Sequence, residues 1–270
     1  MTQRKIIFII ALFSHAYVSS TVSAGEIHVA VASNFIAPMK TIVEKFEKQS
    51  HHHVKVSYGS SGKIYAQILH GAPYHVFFSA DKDKPLALEK HNLTAPNSRF
   101  TYAYGTLALW SHTSNALKNT NGEVLLKNIM FNKLALANPK LAPYGAAAVD
   151  VLNNLGIYDD TKPKWVLGEN IAQTYQFIST GNADIGFIAL SQLALKNRSE
   201  HHSELGSFWL VPQALYNPIQ QDAVLLKKGK NSEAAKALIR FVKNESTQNI
   251  IASYGYKTPR SIHLNTQHTK

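Results

Sequence analysis

The segments Ala32-Ser33-Asn34 and Tyr58-Gly59-Ser60-Ser61-Gly62-Lys63 place small hydroxyl or amide side chains where an apolar, strand-like run gives way to a helical pattern. The start of a helix leaves its first N–H groups without intrahelical acceptors and carries a partial positive charge, so junctions of this kind bind anions. Ser and Asn are also ordinary N-caps, and a single junction therefore decides little. Pro143-Tyr144-Gly145 and Glu169-Asn170-Ile171 repeat the arrangement farther along the chain. Several such junctions at the carboxyl ends of strands share one edge, which is where open α/β sheets take their ligands.

Other chemistries fit these strings less well. The run from Gly59 to Lys63 is shorter than the G-x-x-x-x-G-K spacing of a nucleotide P-loop, and no Ser or Thr follows the lysine. It is not G-x-S-x-G either, because Lys63 stands at the final glycine position, so an exported hydrolase using Ser61 is the weaker alternative. His51-His52-His53 and His201-His202 are candidates for a surface zinc site. Adjacent histidines on a loop point in different directions, and no H-E-x-x-H helix accompanies them, so solvated loops are the expected outcome. Gly145-Ala146-Ala147-Ala148 reads as a stretch of close helix packing.

The elements that must position these junctions alternate from Ile27 onward. Ile27 to Ala32, Val54 to Tyr58 and Val76 to Ser79 read as buried strands. Between them, Ala37 to Lys48 carries Met39, Ile42, Val43 and Phe46 at helical spacing, and Lys63 to Leu69 turns Ile64 and Ile68 inward. A second series contains a strand at Leu134 to Ala137, a helix at Tyr144 to Leu155 stopped by Gly156, a helix at Ile171 to Ile178 ended by Gly181, and a strand at Ile185 to Ala189. Ala223 to Leu226 reads as a strand and Ala234 to Val242 as a helix. The β-α repetition predicts an α/β fold with mostly parallel sheets flanked by helices. No flexible linker separates the two series, so the chain is expected to cross between lobes on extended segments, with Tyr102 to Trp110 and Ala214 to Leu226 as candidates.

At 270 residues with 45% hydrophobic and 17% charged content, the chain is long enough to bury one large core or two medium ones. Its formal charge of +11 is diffuse. The only dense basic cluster, Lys227, Lys228 and Lys230, has no interleaved aromatics, which gives no support to nucleic-acid binding. Diffuse positive potential instead raises encounter rates with small anions. Residues 1–24 have the layout of a cleavable secretory signal: Arg4 and Lys5, an apolar stretch from Ile6 to Val18, and Val22-Ser23-Ala24 before Gly25. The cysteine count is zero, so disulfides, thiolate metal sites and a cysteine nucleophile are excluded. A long exported chain folds without such staples because its core is large enough.

The strings Val31-Ala32-Ser33-Asn34, Ser57 to Ile68, Gly71-Ala72-Pro73 and Phe78-Ser79-Ala80-Asp81 resemble the periplasmic molybdate-binding proteins of bacterial ABC importers. The likeness continues through Ala137-Asn138-Pro139, Pro143-Tyr144-Gly145, Gly168-Glu169-Asn170 and Gly186 to Ser191, in order and at compatible spacing. The resemblance implies a two-lobed type II periplasmic binding protein with the oxyanion in the interlobe cleft. The implied division is 25–103 and 214–270 for the first lobe and 104–213 for the second. Carried over by position, the ligand-binding elements fall on Ser33, Asn34, Ser61, Tyr144 and Ile171, the last through its backbone N–H. Some members have a tyrosine where this chain has Ala189, so Tyr144 is expected to supply that hydroxyl. The implied ligand is molybdate or tungstate, with no cofactor, no protein ligand to the metal and no catalysis. The implied partners are membrane permease subunits, and the chain is expected to be a periplasmic monomer.

These residue types suit such a ligand. A fully deprotonated tetrahedral dianion presents only acceptors, so hydroxyl and N–H donors satisfy it without a formal counter-charge. Protonated phosphate needs an acceptor as well, and smaller sulfate fits a larger pocket poorly. A receptor for sulfate or phosphate is the alternative within binding proteins.

Overall fold

The computed structural model describes residues 24–113, 117, 121–194 and 206–259. The expected signal segment, apart from Ala24, and His201-His202 lie outside the described residues. Two five-stranded sheets are present. The first has strand order β2-β1-β3-β10-β4, formed by β1 (Glu26–Ala32), β2 (His53–Gly59), β3 (Val76–Phe78), β4 (Phe100–Gly105) and β10 (Ile219–Leu225). The second has order β7-β6-β8-β5-β9, formed by β5 (Leu107–Ser111), β6 (Leu134–Ala137), β7 (Trp165–Gly168), β8 (Ile185–Ala189) and β9 (Ser207–Leu210).

In each sheet one strand opposes the other four. β10 is antiparallel to β3 and β4, and β5 is antiparallel to β8 and β9. The remaining pairs, β1 with β2 and β3 and β6 with β7 and β8, are parallel. β5 and β10 are the first strands laid down after each passage between sheets, so their reversed direction is the mark of the crossing. The single long strand expected over Tyr102 to Trp110 is therefore two strands. Its halves belong to different sheets, because Thr106 gives its carbonyl to Leu190 N at the entry to the second sheet while Tyr104 pairs with Lys257 in the first. The expected boundary at 103/104 falls inside β4, two residues before the break. The return passage runs over 211–218.

The strands form because their apolar residues are covered on both faces. Ile27, Val29, Val31, Phe77 and Phe78 are fully buried in the first sheet, as are Leu107, Leu109, Leu134, Leu136 and Phe187 in the second. Continuous apolar runs are the sequence form of such sheets. Around the first sheet lie α1 (Ile36–Ser50), α2 (Ser61–Leu69), α3 (Asp83–Lys90), α8 (Glu233–Lys243) and α9 (Glu245–Ser253). Around the second lie α4 (Gly122–Lys127), α5 (Pro143–Asn154), α6 (Tyr158–Thr161) and α7 (Ile171–Ser179). Of the inward residues expected on α1, Met39, Ile42 and Phe46 are buried and Val43 is partly buried against the same core; Val151 and Leu152 on α5 and Leu238 and Val242 on α8 are buried. Gly156 and Gly181 adopt positive φ of 72° and 74° after α5 and α7, the conformation that stops a helix.

The two sheets share one strand order, so β1 corresponds to β6 and β2 to β7. The helices that follow them correspond as well, α1 to α5 and α2 to α7. The four junctions singled out in the sequence thus occupy equivalent places in the two lobes, two from each.

Candidate functional site

The junction after β1 is a single 3-10 turn, Ser33–Phe35, that leads into α1. Phe35 holds it in place. Its buried ring lies 4.8 Å from Tyr102 and 5.4 Å from Tyr256 in edge-to-face contacts, each worth about 0.5–1.5 kcal/mol beyond burial. Ser33 and Asn34 are thereby fixed at the cleft with backbone N–H groups at the start of a turn. Among the described residues Ser33 Oγ has no protein partner.

At the other three junctions the capping pattern decides which donors remain. Helix α2 begins at Ser61, earlier than the expected Lys63, because Ser60 is its N-cap and accepts from Lys63 N at 3.4 Å. Gly62 N donates across the cleft to Leu141 O at 2.9 Å. The Ser61 N–H, at the first helical position, has no acceptor within its helix. In α7, Asn170 Oδ1 accepts from both Ala172 N (3.0 Å) and Gln173 N (3.1 Å), which leaves the N–H of Ile171 uncapped. Asn170 is therefore a cap and not a ligand group. In α5, Ala142 offers no side-chain cap and Pro143 has no N–H, so Tyr144 carries the first helical N–H. Gly145 permits this approach: a side chain there would meet the Ala137 carbonyl carbon at 2.7 Å.

All five expected residues, Ser33, Asn34, Ser61, Tyr144 and Ile171, line one tight space between the lobes. No lining residue is charged. Ser61 Oγ accepts from Ala80 N at 2.9 Å, and its own proton has no partner among the described residues. Asn34 differs from expectation in detail. Its Nδ2 donates to Gln221 Oε1 and to Tyr256 Oη, both at 2.9 Å, so its amide nitrogen is committed and what it offers the cavity is backbone. Ala189 ends β8 fully buried opposite Leu107 and does not line the space. Its N–H bonds Gln192 Oε1, whose Nε2 in turn donates to Ile171 O.

Sequence reasoning missed the groups behind this space. Gln221, Tyr102, Tyr256 and Ser191 are buried and hydrogen-bonded around Asn34 and Tyr144. The available signal was Gln220-Gln221-Asp222, three polar residues inside an otherwise apolar strand. Burial drives the phenols of Tyr144 and Tyr102 well above their ordinary value and pushes Tyr256 up to about 12. The site is consequently a set of neutral donors at any physiological pH. Across the mouth of the cleft, Lys63 Nζ meets Glu169 Oε1 at 2.8 Å. Both are about half exposed, and such a pair contributes at most about 1 kcal/mol to closure.

The described histidine run, His51 to His53, does not converge on one point. His52 Nδ1 accepts from Gly25 N while His53 Nδ1 meets Glu47, so the neighbours diverge. Among the described residues no group of three or more potential metal ligands occurs.

Residues 27–257 match the family model of bacterial extracellular solute-binding proteins. The molybdate-binding protein ModA of Azotobacter vinelandii is 50% identical over 233 residues, covering 86% of this chain and 90% of its own length. The chain belongs to the bacterial extracellular solute-binding proteins and, within them, to the ModA family. ModA of Rhodobacter capsulatus is 46% identical over 236 residues, covering 87% of this chain and 90% of its own. The solved Azotobacter vinelandii periplasmic molybdate-binding protein superposes with a TM-score of 0.81 at 36% identity, covering 86% of this chain and 99% of that one. The fold of two α/β sheets flanked by helices is thus shared with a solved periplasmic molybdate-binding protein.

Proposed function

We propose that this protein captures molybdate in the periplasm as the fully deprotonated tetrahedral dianion and delivers it, with the lobes closed, to the permease of an ABC importer. The observation that carries the reading is the uncharged interlobe space lined by helix starts and hydroxyls from both lobes. Ser33, Ser61 and Tyr144 donate through side chains, and Ile171 and the 33–34 turn through backbone N–H groups. Relatives at 50% and 46% identity are molybdate-binding proteins, which agrees with this ligand. Tungstate, of the same charge and shape, binds the same donors. The protein works as a monomer, because the site is complete within one chain.

No bond is made or broken. Ser61 Oγ bonds a backbone N–H and no histidine or carboxylate, so it lacks the base a nucleophilic serine requires. Sulfate or phosphate reception is the less favoured reading, since hydrogen phosphate needs an acceptor and the lining holds no carboxylate.

A melting scan of the protein against an oxyanion panel tests the proposal. A ligand bound only by the folded state raises Tm by mass action. Molybdate and tungstate are expected to raise Tm strongly, sulfate weakly and phosphate not at all. Stabilisation by phosphate equal to that by molybdate contradicts the reading.

A further inference from the structure

Gln221 lies directly behind the cavity, fully buried on β10, and its two amide atoms face different lobes. Oε1 takes Asn34 Nδ2 at 2.9 Å and lies 2.9 Å from Tyr102 Oη, both in the first lobe. Nε2 donates to Tyr144 Oη at 3.1 Å in the second. The direction of this chain is fixed at its far end. The single Tyr256 proton goes to the backbone carbonyl of Asn34 at 2.8 Å or to Ser191 Oγ at 3.0 Å, and in either case the Asn34 group that meets the Tyr256 oxygen is the NH₂. Asn34 therefore donates to Gln221, Gln221 presents its oxygen to Asn34, and its NH₂ is left for Tyr144.

The Tyr144 oxygen thus receives a proton, and its own is directed elsewhere. It has two places to go: the neighbouring Tyr256 Oη or the cavity. Tyr256 is a neutral acceptor already taken by Asn34, and a dianion is the stronger acceptor. Two further features hold Gln221 to this task. The β4–β10 register shifts between Gln221 and Asp222, a bulge that leaves Tyr102 as the extra residue and swings its hydroxyl to Gln221. Gly105 passes beneath the pair so closely that a side chain there would sit 2.7 Å from Gln221 Nε2.

We propose that Gln221 is a positioning residue: by donating to the Tyr144 oxygen it holds the Tyr144 hydroxyl as a proton donor toward the anion, which biases the site against oxyanions that carry a proton. The inference rests on the reading of Tyr144 as an anion donor. It adds that the donor character is imposed from outside the cavity, through the Asn34–Gln221 relay.

Calorimetric titration with molybdate, and competition by phosphate, on Gln221→Met, Tyr144→Phe and the double variant tests it. With Gln221→Met the Tyr144 oxygen is free to accept, so molybdate affinity falls and its margin over hydrogen phosphate narrows by about tenfold. In the Tyr144→Phe background the same substitution has no further effect. Losses that add independently and strike all anions alike overturn the inference as a mere packing effect. Unchanged affinity in Tyr144→Phe alone instead overturns the assignment of Tyr144 on which it stands.

Gln221→Glu covers the case in which the methionine variant does not fold. The titratable groups facing position 221 are Tyr102, Tyr144 and Tyr256, all held protonated, while the carboxylates of Asp222 and Asp81 are bound by Arg99 and Lys84. A buried carboxyl at 221 titrates above the ordinary carboxylate range. Protonated, it donates to Tyr144 as the amide does; ionised, it accepts, turns the Tyr144 proton away and repels the anion. Molybdate affinity is expected to fall by about tenfold or more between pH 5 and 9, against a flat profile for the parent protein. A flat profile in the variant overturns the proposal.

Discussion

Gly105→Ala is expected to lower molybdate affinity by on the order of 100-fold while leaving the two lobes folded. A Cβ at this position would lie 2.8 Å from Tyr144 Cζ and 2.7 Å from Gln221 Nε2, with the Tyr144 hydroxyl closer still. Nothing in that corner yields easily, because Tyr144 is 1% exposed and Gln221 is fully buried. Overpacking of this kind costs about 1–3 kcal/mol. Gly105 belongs to the first sheet and Tyr144 to the second lobe, so the strain against Tyr144 falls on the closed arrangement and is relieved by opening, while the contact with Gln221 on neighbouring β10 stays within the first sheet. Displacement of the hydroxyl also removes a donor to a charged acceptor, worth about 1.5–3 kcal/mol. Calorimetry measures the affinity and a ligand-free melting curve checks the fold. Parent-like affinity would mean that Tyr144 is not held against the anion.

Ser61→Ala is expected to weaken molybdate binding by about 10–100-fold, the loss of one donor to a charged acceptor. The Ser61 proton has no other destination among the described residues, since its oxygen serves as acceptor for Ala80 N at 2.9 Å. The substitution also strips that buried N–H of its partner, at a cost of about 1–3 kcal/mol that is present with or without ligand. For a chain of this size the corresponding drop in Tm is about 2–4 °C per kcal/mol. The two effects are separable: the Tm of the free protein reports the lost Ala80 contact, and the calorimetric constant reports the lost donor. A variant with lowered Tm and unaltered affinity would place Ser61 outside the ligand's reach.

The fold was legible wherever periodicity was strong and burial two-sided. The strand at Leu134 to Ala137 and the helix inside Pro143–Asn154 are read directly from apolar spacing. The short edge strand β7 was not, because Trp165 and Val166 are only partly covered, Leu167 is exposed, and the run shows neither alternation nor continuous burial. Helix α9 was not read at all: it follows α8 after Asn244 alone, a residue that closes one helix and caps the next through Thr247 N. The break at Thr106 was invisible because both flanking strands are apolar and nothing local marks a change of sheet.

The cavity-facing residues were legible for a different reason. A helix start announces itself through its capping residue types, which mark the four junctions; Ser61 and Ile171 themselves come from the family resemblance, and the caps at Ser60 and Asn170 that leave their N–H groups free emerge only in the fold. The support behind them was not legible, because Gln221, Tyr102 and Tyr256 meet Asn34 and Tyr144 only through long-range packing, at separations of up to 222 residues. Asn34 shows the consequence: its type suggested a ligand contact, whereas its amide nitrogen serves the second layer.

The most direct measurement is a crystal structure of the protein with molybdate bound. Oxygens of a single anion should lie within hydrogen-bond distance of Ser33 Oγ, Ser61 Oγ, Tyr144 Oη and Ile171 N, with no lysine or arginine in contact. An anion neutralised by a basic side chain, or held by one lobe alone, would contradict the account.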